Sequence, residues 1–361
     1  MKTGIVTDDF YPWVGGMGRH VYELSIRMPP EQFYIFSPCN NNLKNHIRLT
    51  PAFHKKGKNL ALSFWLNRNT DRIITEYNLS KLNIHCGPGG LFLLRDIGIP
   101  VIATCHHTYW QQSHYIRSQL WKKFFVPLEK QTYQLADKII CVSQDTRDIL
   151  VRYYHIPSKK MLVIPNGIDT SIFFPIPGIK KIPNSLLFVG RLDKRKGIDF
   201  LAEAMPFVKE KIKTAKLYIG GTGKYESKLR QYVIKKNLSD HVEFLGFIPD
   251  NELNYWYNRV QCAIIPSVFE GFGFTAAEAM AAGTAVIATN TDGLKSIVKD
   301  NTNGFLVRYG AVNELSDKII FMLNDRETRK RFEKKGREMI VSNYDWNILA
   351  EKVAKELFDK V

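Results

Sequence analysis

The sequence lacks several features that would place it in common classes of protein. Its five cysteines contain no Cys-x-x-Cys pair and are odd in number, which argues against a disulfide framework or a zinc site. No apolar run is long enough to span a bilayer, and the N-terminal residues contain no apolar stretch typical of a signal peptide. We therefore expect a cytoplasmic protein with reduced thiols.

Motifs for binding nucleic acid or nucleotides are also missing or incomplete. The net charge is +16, yet no recognition-helix, RNP or zinc-finger pattern accompanies it, so nucleic acid is not a predicted partner. An anionic membrane, a phosphorylated ligand or a merely solvated basic surface would each explain the charge. There is no Walker motif and no complete Gly-x-Gly-x-x-Gly fingerprint.

Short apolar runs alternate with helical patterns along the chain, and this alternation predicts parallel sheets covered by helices on both faces. One such series occupies residues 1–165 and a second occupies 185–345. The proline-rich segment between them, 166–184, is predicted to be a linker. The pattern predicts two doubly wound α/β domains and a final helix within 346–361, whose docking place it does not fix.

Open parallel sheets bind ligands at the carboxyl ends of their strands, so the loops after strands are candidate sites. Gly16 and Gly221 each lie in a glycine-rich turn between a strand and a helix, where the backbone could approach a phosphate. His106 follows a buried strand and could transfer protons or form hydrogen bonds near neutral pH. Plain turns and a buried, hydrogen-bonded histidine are the structural alternatives.

A basic loop, "VGRLDKRKG", opens the second series of strands and helices. Arg191 and Lys196 lie in it just before a predicted helix, and cations beside a helix N-terminus suit a diphosphate. A solvated basic loop is the alternative.

Two glutamates flank the turn in "SVFEGFGFTAAEAMAAG". Glu270 is followed by Gly271 and Gly273, and a carboxylate beside free amides suits a hydroxyl-rich ligand such as a sugar. Glu278 could reach a ribose diol. If the helix begins at Thr275, however, Glu278 completes a capping box and needs no ligand to explain it.

The segments together resemble family 4 (group 1) glycosyltransferases. "FEGFGFTAAEAMAAGTAVIAT" is similar to the signature of that family, and "GGMGRHVYEL", "VIPNGID", "FVGRLDKRKGID", "LYIGGTGKYESKL", "VEFLGFIPDNEL" and "NGFLV" match its other segments in order. The resemblance implies a GT-B fold, with two Rossmann-like doubly wound parallel-sheet domains facing across a cleft. The N-terminal domain would bind the acceptor and the C-terminal domain the nucleotide sugar, with the final helix returning to the first domain.

The implied activity is retaining transfer of a hexose from a nucleoside-diphosphate sugar, UDP rather than GDP, to a glycan or lipid-linked acceptor. No cofactor or metal is implied, and the absence of Asp-x-Asp agrees with this. The sequence departs from the family at 289–298, where Asp292, Lys295 and Ser296 replace the common glycine, proline and glutamate; this change concerns the identity of the donor sugar. The resemblance assigns catalysis to Glu270, His106, Arg191 and Lys196, and donor binding to Gly16, Arg191, Lys196, Gly221, Phe272, Gly273 and Glu278.

Basic and aromatic residues are interleaved in "HYIRSQLWKKFFVPLEK", residues 114–130, and in residues 53–65. They could form an apolar, basic face on the inner surface of the cell membrane, or a helix that packs its aromatic side chains into the core. A nucleotide-dependent oxidoreductase or epimerase on paired Rossmann domains is the alternative function, although it lacks its complete fingerprint.

Overall fold

The computed structural model describes residues 2–12, 15–49, 58–115 and 117–359. It divides into two compact units, one formed by Met1–Gly167 with Trp346–Val361 and the other by Ile168–Asp345. Most of the proline-rich segment predicted as a linker packs within the second unit. Phe173 is buried there, and the amide of Ile182 donates a hydrogen bond to the carbonyl of Arg259 (2.7 Å).

The first unit contains a seven-stranded sheet in which every recorded pairing is parallel, in the order β3-β2-β1-β4-β5-β6-β7. The strand order reverses between β1 and β4, the arrangement that creates a ligand crevice in doubly wound folds. Its strands are β1 Lys2–Val6, β2 Phe33–Ser37, β3 His46–Arg48, β4 Leu79–Cys86, β5 Val101–Cys105, β6 Lys138–Cys141 and β7 Met161–Val163; its helices are α1 Gly16–Ser25, α2 Lys58–Glu76, α3 Tyr109–Tyr115, α4 Val126–Leu135 and α5 Gln144–Tyr154.

The second unit repeats this plan with a six-stranded parallel sheet in the order β10-β9-β8-β11-β12-β13. Its order reverses between β8 and β11. The strands are β8 Ser185–Val189, β9 Lys216–Gly220, β10 Val242–Gly246, β11 Cys262–Ile265, β12 Ala285–Thr289 and β13 Phe305–Val307; the helices are α6 Ile198–Lys211, α7 Glu226–Lys235, α8 Asp250–Arg259, α9 Phe274–Ala281, α10 Asp292–Ile297, α11 Val312–Asn324 and α12 Arg326–Asn343.

The last helix, α13 (Trp346–Phe358), packs on the first unit. Trp346 is fully buried. The buried ammonium of Lys81 on β4 donates hydrogen bonds to the carbonyls of Glu356 and Asp359 (3.2 and 3.0 Å), at the negative end of the helix dipole. The return of this helix to the N-terminal domain agrees with what the resemblance implies.

The sequence pattern of residues 115–136 predicts one long helix, and this prediction is wrong, because the chain is broken there into shorter pieces. A 3₁₀ segment, Arg117–Phe125, separates α3 from α4, and Gln119 within it has non-helical angles (φ −115°, ψ 16°). Pro127 lies in the first turn of α4, where its missing N–H costs nothing. Of the segment 53–65, residues 53–57 lie outside the described residues.

Candidate active site

The basic loop after β8 is fixed by its own backbone contacts. The Asp193 carboxylate accepts a hydrogen bond from the Lys196 amide (3.1 Å) and caps the 3₁₀ turn Lys194–Lys196. Gly197 follows with φ +67°, and a Cβ there would lie 1.8 Å from the carbonyl oxygen of Pro266. Only glycine fits this position, so the loop can pack directly against the loop that follows β11.

That contact brings Lys196 to Glu270. The Lys196 ammonium lies 2.5 Å from Glu270 Oε1, and the Ser267 hydroxyl donates to the same oxygen (2.7 Å). Burial by itself would raise the pKa of Glu270, but the charges of Lys196 and Arg195 and the two hydrogen bonds together lower it. The site therefore contains a buried, ionised carboxylate held against a lysine.

Arg191 differs from Lys196 in its surroundings. Its side chain is 68% exposed, and Nε lies 3.7 Å from Asp193 Oδ2, which is a loose contact. An exposed guanidinium in high dielectric gains little from such a pair, so it can turn toward an arriving anion at small cost. Of the two cations predicted to bind the donor, Lys196 is therefore already engaged by a carboxylate and Arg191 is accessible to a ligand.

The capping box predicted for Glu278 is wrong. Helix α9 begins one residue earlier than expected, after Gly273 (φ +97°), so Thr275 lies inside the helix and does not cap it. Glu278 is buried, and the hydroxyl of Tyr257 on α8 donates to its Oε2 (3.1 Å). Since capping no longer explains this carboxylate, the structural alternative to its ribose-binding role is weakened.

The turn between Glu270 and α9 packs against the loop that departs from the family pattern. Phe272 is buried, and a Cβ on Gly273 would lie 2.6 Å from Leu294. The amide of Gly293 donates to the carbonyl of Glu270 (3.2 Å), and a Cβ on Gly293 would lie 2.4 Å from that oxygen. Substitutions in 289–298 therefore act directly on the segment that positions Glu270.

Gly221 lies where the loops after β8 and β9 meet. A Cβ on it would lie 1.9 Å from the Gly190 carbonyl oxygen, and its own amide donates to the carbonyl of Gly246 (2.6 Å). Its backbone angle, φ +125°, also favours glycine. Gly221 is thus required for loop packing, whatever it contributes to the donor.

Gly16 is the first residue of α1 in the first unit, and it is exposed. The amides of its neighbours Gly15 and Gly18 both donate to Asp9 Oδ2 (3.0 Å each). A carboxylate of the chain itself therefore occupies part of the helix N-terminus at which a phosphate was expected.

His106 belongs to a buried cluster of three histidines. Its Nε2 lies 2.9 Å from His85 Nδ1, and its ring meets His20 edge-on. His20 Nδ1 lies 2.7 Å from Asn166 Oδ1. Burial lowers the pKa of His20 to about 4, while burial and the neighbouring histidines lower those of His85 and His106 well below the ordinary value. The cluster is neutral near pH 7, so His106 acts there as a hydrogen-bonding group.

The structure brings Lys196, Glu270 and Ser267 together and places Arg191, Gly221 and Glu278 on neighbouring elements of the same unit. These positions lie at the carboxyl ends of β8, β9 and β11 or on the helix that follows β11. Gly16 and His106 belong to the other unit. Within the described ranges, no group of three or more histidine, cysteine or acidic side chains is arranged to hold a metal ion.

Sequence reasoning missed three residues that support these groups, namely Ser267, Tyr257 and Asp9. Ser267 was detectable in principle as a polar residue at a strand end, three positions before Glu270. Tyr257 was not, because its contact with Glu278 depends on how α8 packs against α9.

Comparison with known proteins defines the family. Residues 169–339 match the model for glycosyl transferases group 1, and residues 14–172 match that for Glycosyltransferase Family 4. A phosphatidyl-myo-inositol mannosyltransferase from Mycobacterium leprae is 32% identical over 98% of this chain and 96% of its own length. An uncharacterized glycosyltransferase of Methanocaldococcus jannaschii is 29% identical over 97% of both chains. The chain belongs to the group 1 glycosyltransferases.

Solved structures agree on the fold. Sucrose-phosphate synthase from Thermosynechococcus elongatus superposes with a TM-score of 0.82 at 21% identity, covering 99% of this chain and 98% of the other. Anabaena HepE, solved with UDP and glucose, gives 0.77 at 17% identity over the full length of both chains. The protein has a GT-B fold, built from two Rossmann-like domains. The oxidoreductase or epimerase alternative has no counterpart among these matches.

Proposed function

We propose that this protein is a retaining glycosyltransferase that moves a hexose from a nucleoside-diphosphate sugar, with UDP as the predicted nucleotide, to a glycan or lipid-linked acceptor. The observation that carries the proposal is the Lys196–Glu270 pair, formed by the loops after β8 and β11 in a group 1 chain. In this pair, a lysine that could bind the donor diphosphate lies beside a carboxylate that could accept hydrogen bonds from the hydroxyls of the donor sugar.

Arg191 and Lys196 would bind the donor diphosphate and stabilise the charge that develops on it as the sugar leaves. Glu270 would accept hydrogen bonds from the donor sugar, next to the Phe272 and Gly273 amides. Glu278, oriented by Tyr257, would bind the ribose. Gly16 and His106 are proposed to contribute from the first domain.

Same-face transfer is the proposed route to retention, because double displacement requires a free nucleophile beneath the anomeric carbon. Lys196 and Ser267 both bind Oε1 of Glu270, which suits this carboxylate to a fixed hydrogen-bonding role better than to nucleophilic attack. The leaving phosphate would accept the acceptor proton. We propose that neither a metal nor another cofactor takes part; activity should then survive a chelator.

The acceptor is proposed to be presented at an anionic membrane, which we place at the inner face of the cell membrane. The 3₁₀ segment Arg117–Phe125 exposes Leu120, Trp121 (56% exposed) and Phe124 (83% exposed). Between residues 97 and 136 the chain has four Lys and Arg residues and a single acid, Glu129, which is fully buried. Exposed aromatic residues on a basic surface suit an anionic interface. No helix in the described ranges is long and apolar enough to cross a bilayer.

The donor proposal is tested by measuring the melting temperature of the protein with UDP, GDP, ADP and NAD, beside Lys196→Ala. We expect UDP to raise the melting temperature and the variant to lose most of that rise, because ligand stabilises only the folded state. Lys194→Ala is the matched control, since this exposed neighbour has no recorded contact with Glu270. A rise with GDP alone would change the predicted nucleotide. A rise with NAD alone, or with none of the four, would contradict the proposal.

A further inference from the structure

A groove on the second unit lies outside the site described above. It runs between α6 and α7 and encloses about 220 Å³. This volume is below the usual range for drug-sized ligands and suits something about as large as one sugar ring. Its walls contain aromatic rings, carboxylates, a lysine and an amide, from Tyr225, Tyr232, Asp199, Glu203, Lys228 and Gln231.

The carboxylates and phenols of the groove lie close enough to interact. Asp199 and Glu203 are one turn apart on α6, and neither forms an ion pair with any residue that the structure describes. After burial, the charges of Asp199 and Glu203 are the next causes that raise the pKa of Tyr225. Burial and then the same two carboxylates raise the pKa of Tyr309, whose ring packs against Phe200 (5.2 Å between centroids). Two carboxylates that form no ion pair with a described residue therefore line the groove together with Tyr225 and Tyr232.

We propose that this groove binds one sugar residue of a glycan. A tyrosine ring offers an apolar face to the C–H groups of a pyranose, carboxylates accept hydrogen bonds from its hydroxyls, and Lys228 and Gln231 supply donors. Lys228 and Lys235 would repel a quaternary ammonium, and Asp199 and Glu203 would repel a phosphate. A groove that contains both signs of charge therefore favours a neutral ligand with several hydroxyl groups.

The groove adjoins the basic loop without being part of it. The amide of Tyr225 donates to the carbonyl of Leu192 (3.1 Å), and Asp199 lies in the first turn of α6, two residues after Gly197. The inference rests on the proposed function in one respect, since a glycan acceptor or product supplies the ligand. A sugar held here would keep a glycan chain on the enzyme between transfers and raise its local concentration.

The test is saturation-transfer NMR on the full chain with the methyl glycosides of glucose, mannose, galactose and N-acetylglucosamine. Saturating UDP and GDP are present to occupy the donor site. We expect transfer from at least one glycoside, and Tyr232→Ala should weaken its binding about tenfold. Glu203→Gln should weaken it while keeping the side-chain shape. Tyr255→Ala, which removes an exposed tyrosine outside the groove, should have no effect.

The inference is overturned if no glycoside shows transfer, if Tyr232→Ala and Glu203→Gln bind as the unaltered protein does, or if choline binds in place of the glycosides. Nucleotide-induced melting shifts in the same variants keep this result separate from the donor proposal. If nucleotides still raise the melting temperature but no glycoside binds, only the sugar-binding role of the groove is contradicted. If glycosides bind in the groove but no nucleotide raises the melting temperature, the proposed function is contradicted and the sugar-binding site remains.

Discussion

At the scale of single residues, two groups of buried ionisable side chains follow opposite electrostatic rules. Glu270 stays ionised in a buried place because a lysine and a hydroxyl bond to it. Each of the three histidines has one bonded ring nitrogen but no charged partner, and the second nitrogen of each ring, His85 Nε2, His20 Nε2 and His106 Nδ1, lacks a hydrogen-bond partner among the described residues. Burial without a compensating charge keeps these rings neutral, so their protonation is linked to unfolding.

This linkage predicts how stability depends on pH. The pKa of His20 falls from 6.5 to about 4 on folding, so the unfolded chain binds the extra proton below pH 6.5 and stability drops as the pH falls toward 4. At pH 5 the loss from His20 is about 2 kcal/mol. His20→Gln should remove this contribution. The free energy of unfolding of the variant, measured by urea denaturation, should therefore fall less between pH 7 and pH 5 than that of the unaltered protein.

The comparison of variants is needed because Glu129 acts in the opposite direction. Burial raises its pKa to about 7, so its contribution to stability grows as the pH falls from 7 toward 4.5, and it cancels between the two proteins. His114→Gln, which replaces an exposed histidine outside the cluster, is the control variant. Parallel stability curves for His20→Gln and the unaltered protein would refute the linkage.

At the scale of elements, the sequence predicted those strands and helices that depend mainly on apolar periodicity and on capping residues. The apolar runs "FYIFS" and "AVIAT" predict strands and "QDTRDILVRYY" predicts a helix, and β2, β12 and α5 have these bounds. The break within 115–136 was missed because its 3₁₀ geometry depends on tertiary contacts such as that between the rings of Phe125 and Tyr109 (5.1 Å between centroids). The site glutamates could be found from the sequence, but the pairing of Glu270 with Lys196 requires two loops from non-adjacent parts of the chain.

The docking of α13 is another contact that the sequence left open, and it gives a testable prediction. Lys81→Met should cost about 1–3 kcal/mol, because the carbonyls of Glu356 and Asp359 lose a charged donor. Hydrogen exchange should rise mainly in Trp346–Phe358. Lys138→Met removes only a partly exposed ion pair with Glu356 and should cost less than about 1 kcal/mol. If the two variants lost the same amount of stability, the buried position of Lys81 would add nothing to the docking of α13.

At the scale of the whole molecule, the positive net charge and the exposed aromatic residues act over different distances. A charge of +16 attracts any anionic surface, and salt screens it beyond about 10 Å at 0.1 M. Trp121 and Phe124 act only on contact, by leaving water. A membrane-bound state should therefore need both, with charge setting the preference for lipid and the aromatic residues resisting salt.

Liposome pelleting can separate these contributions. We expect binding to vesicles containing phosphatidylglycerol, little binding to phosphatidylcholine alone, and partial release by salt, since each basic residue near the surface contributes about 1 kcal/mol. Trp121→Ala with Phe124→Ala should abolish the salt-resistant part, whereas Phe247→Ala, at a phenylalanine of the second unit that is 74% exposed, should not. Binding without preference for anionic lipid would contradict the proposal. Unchanged binding by the double variant would mean that net charge alone attracts the protein and that Arg117–Phe125 has no special part in it.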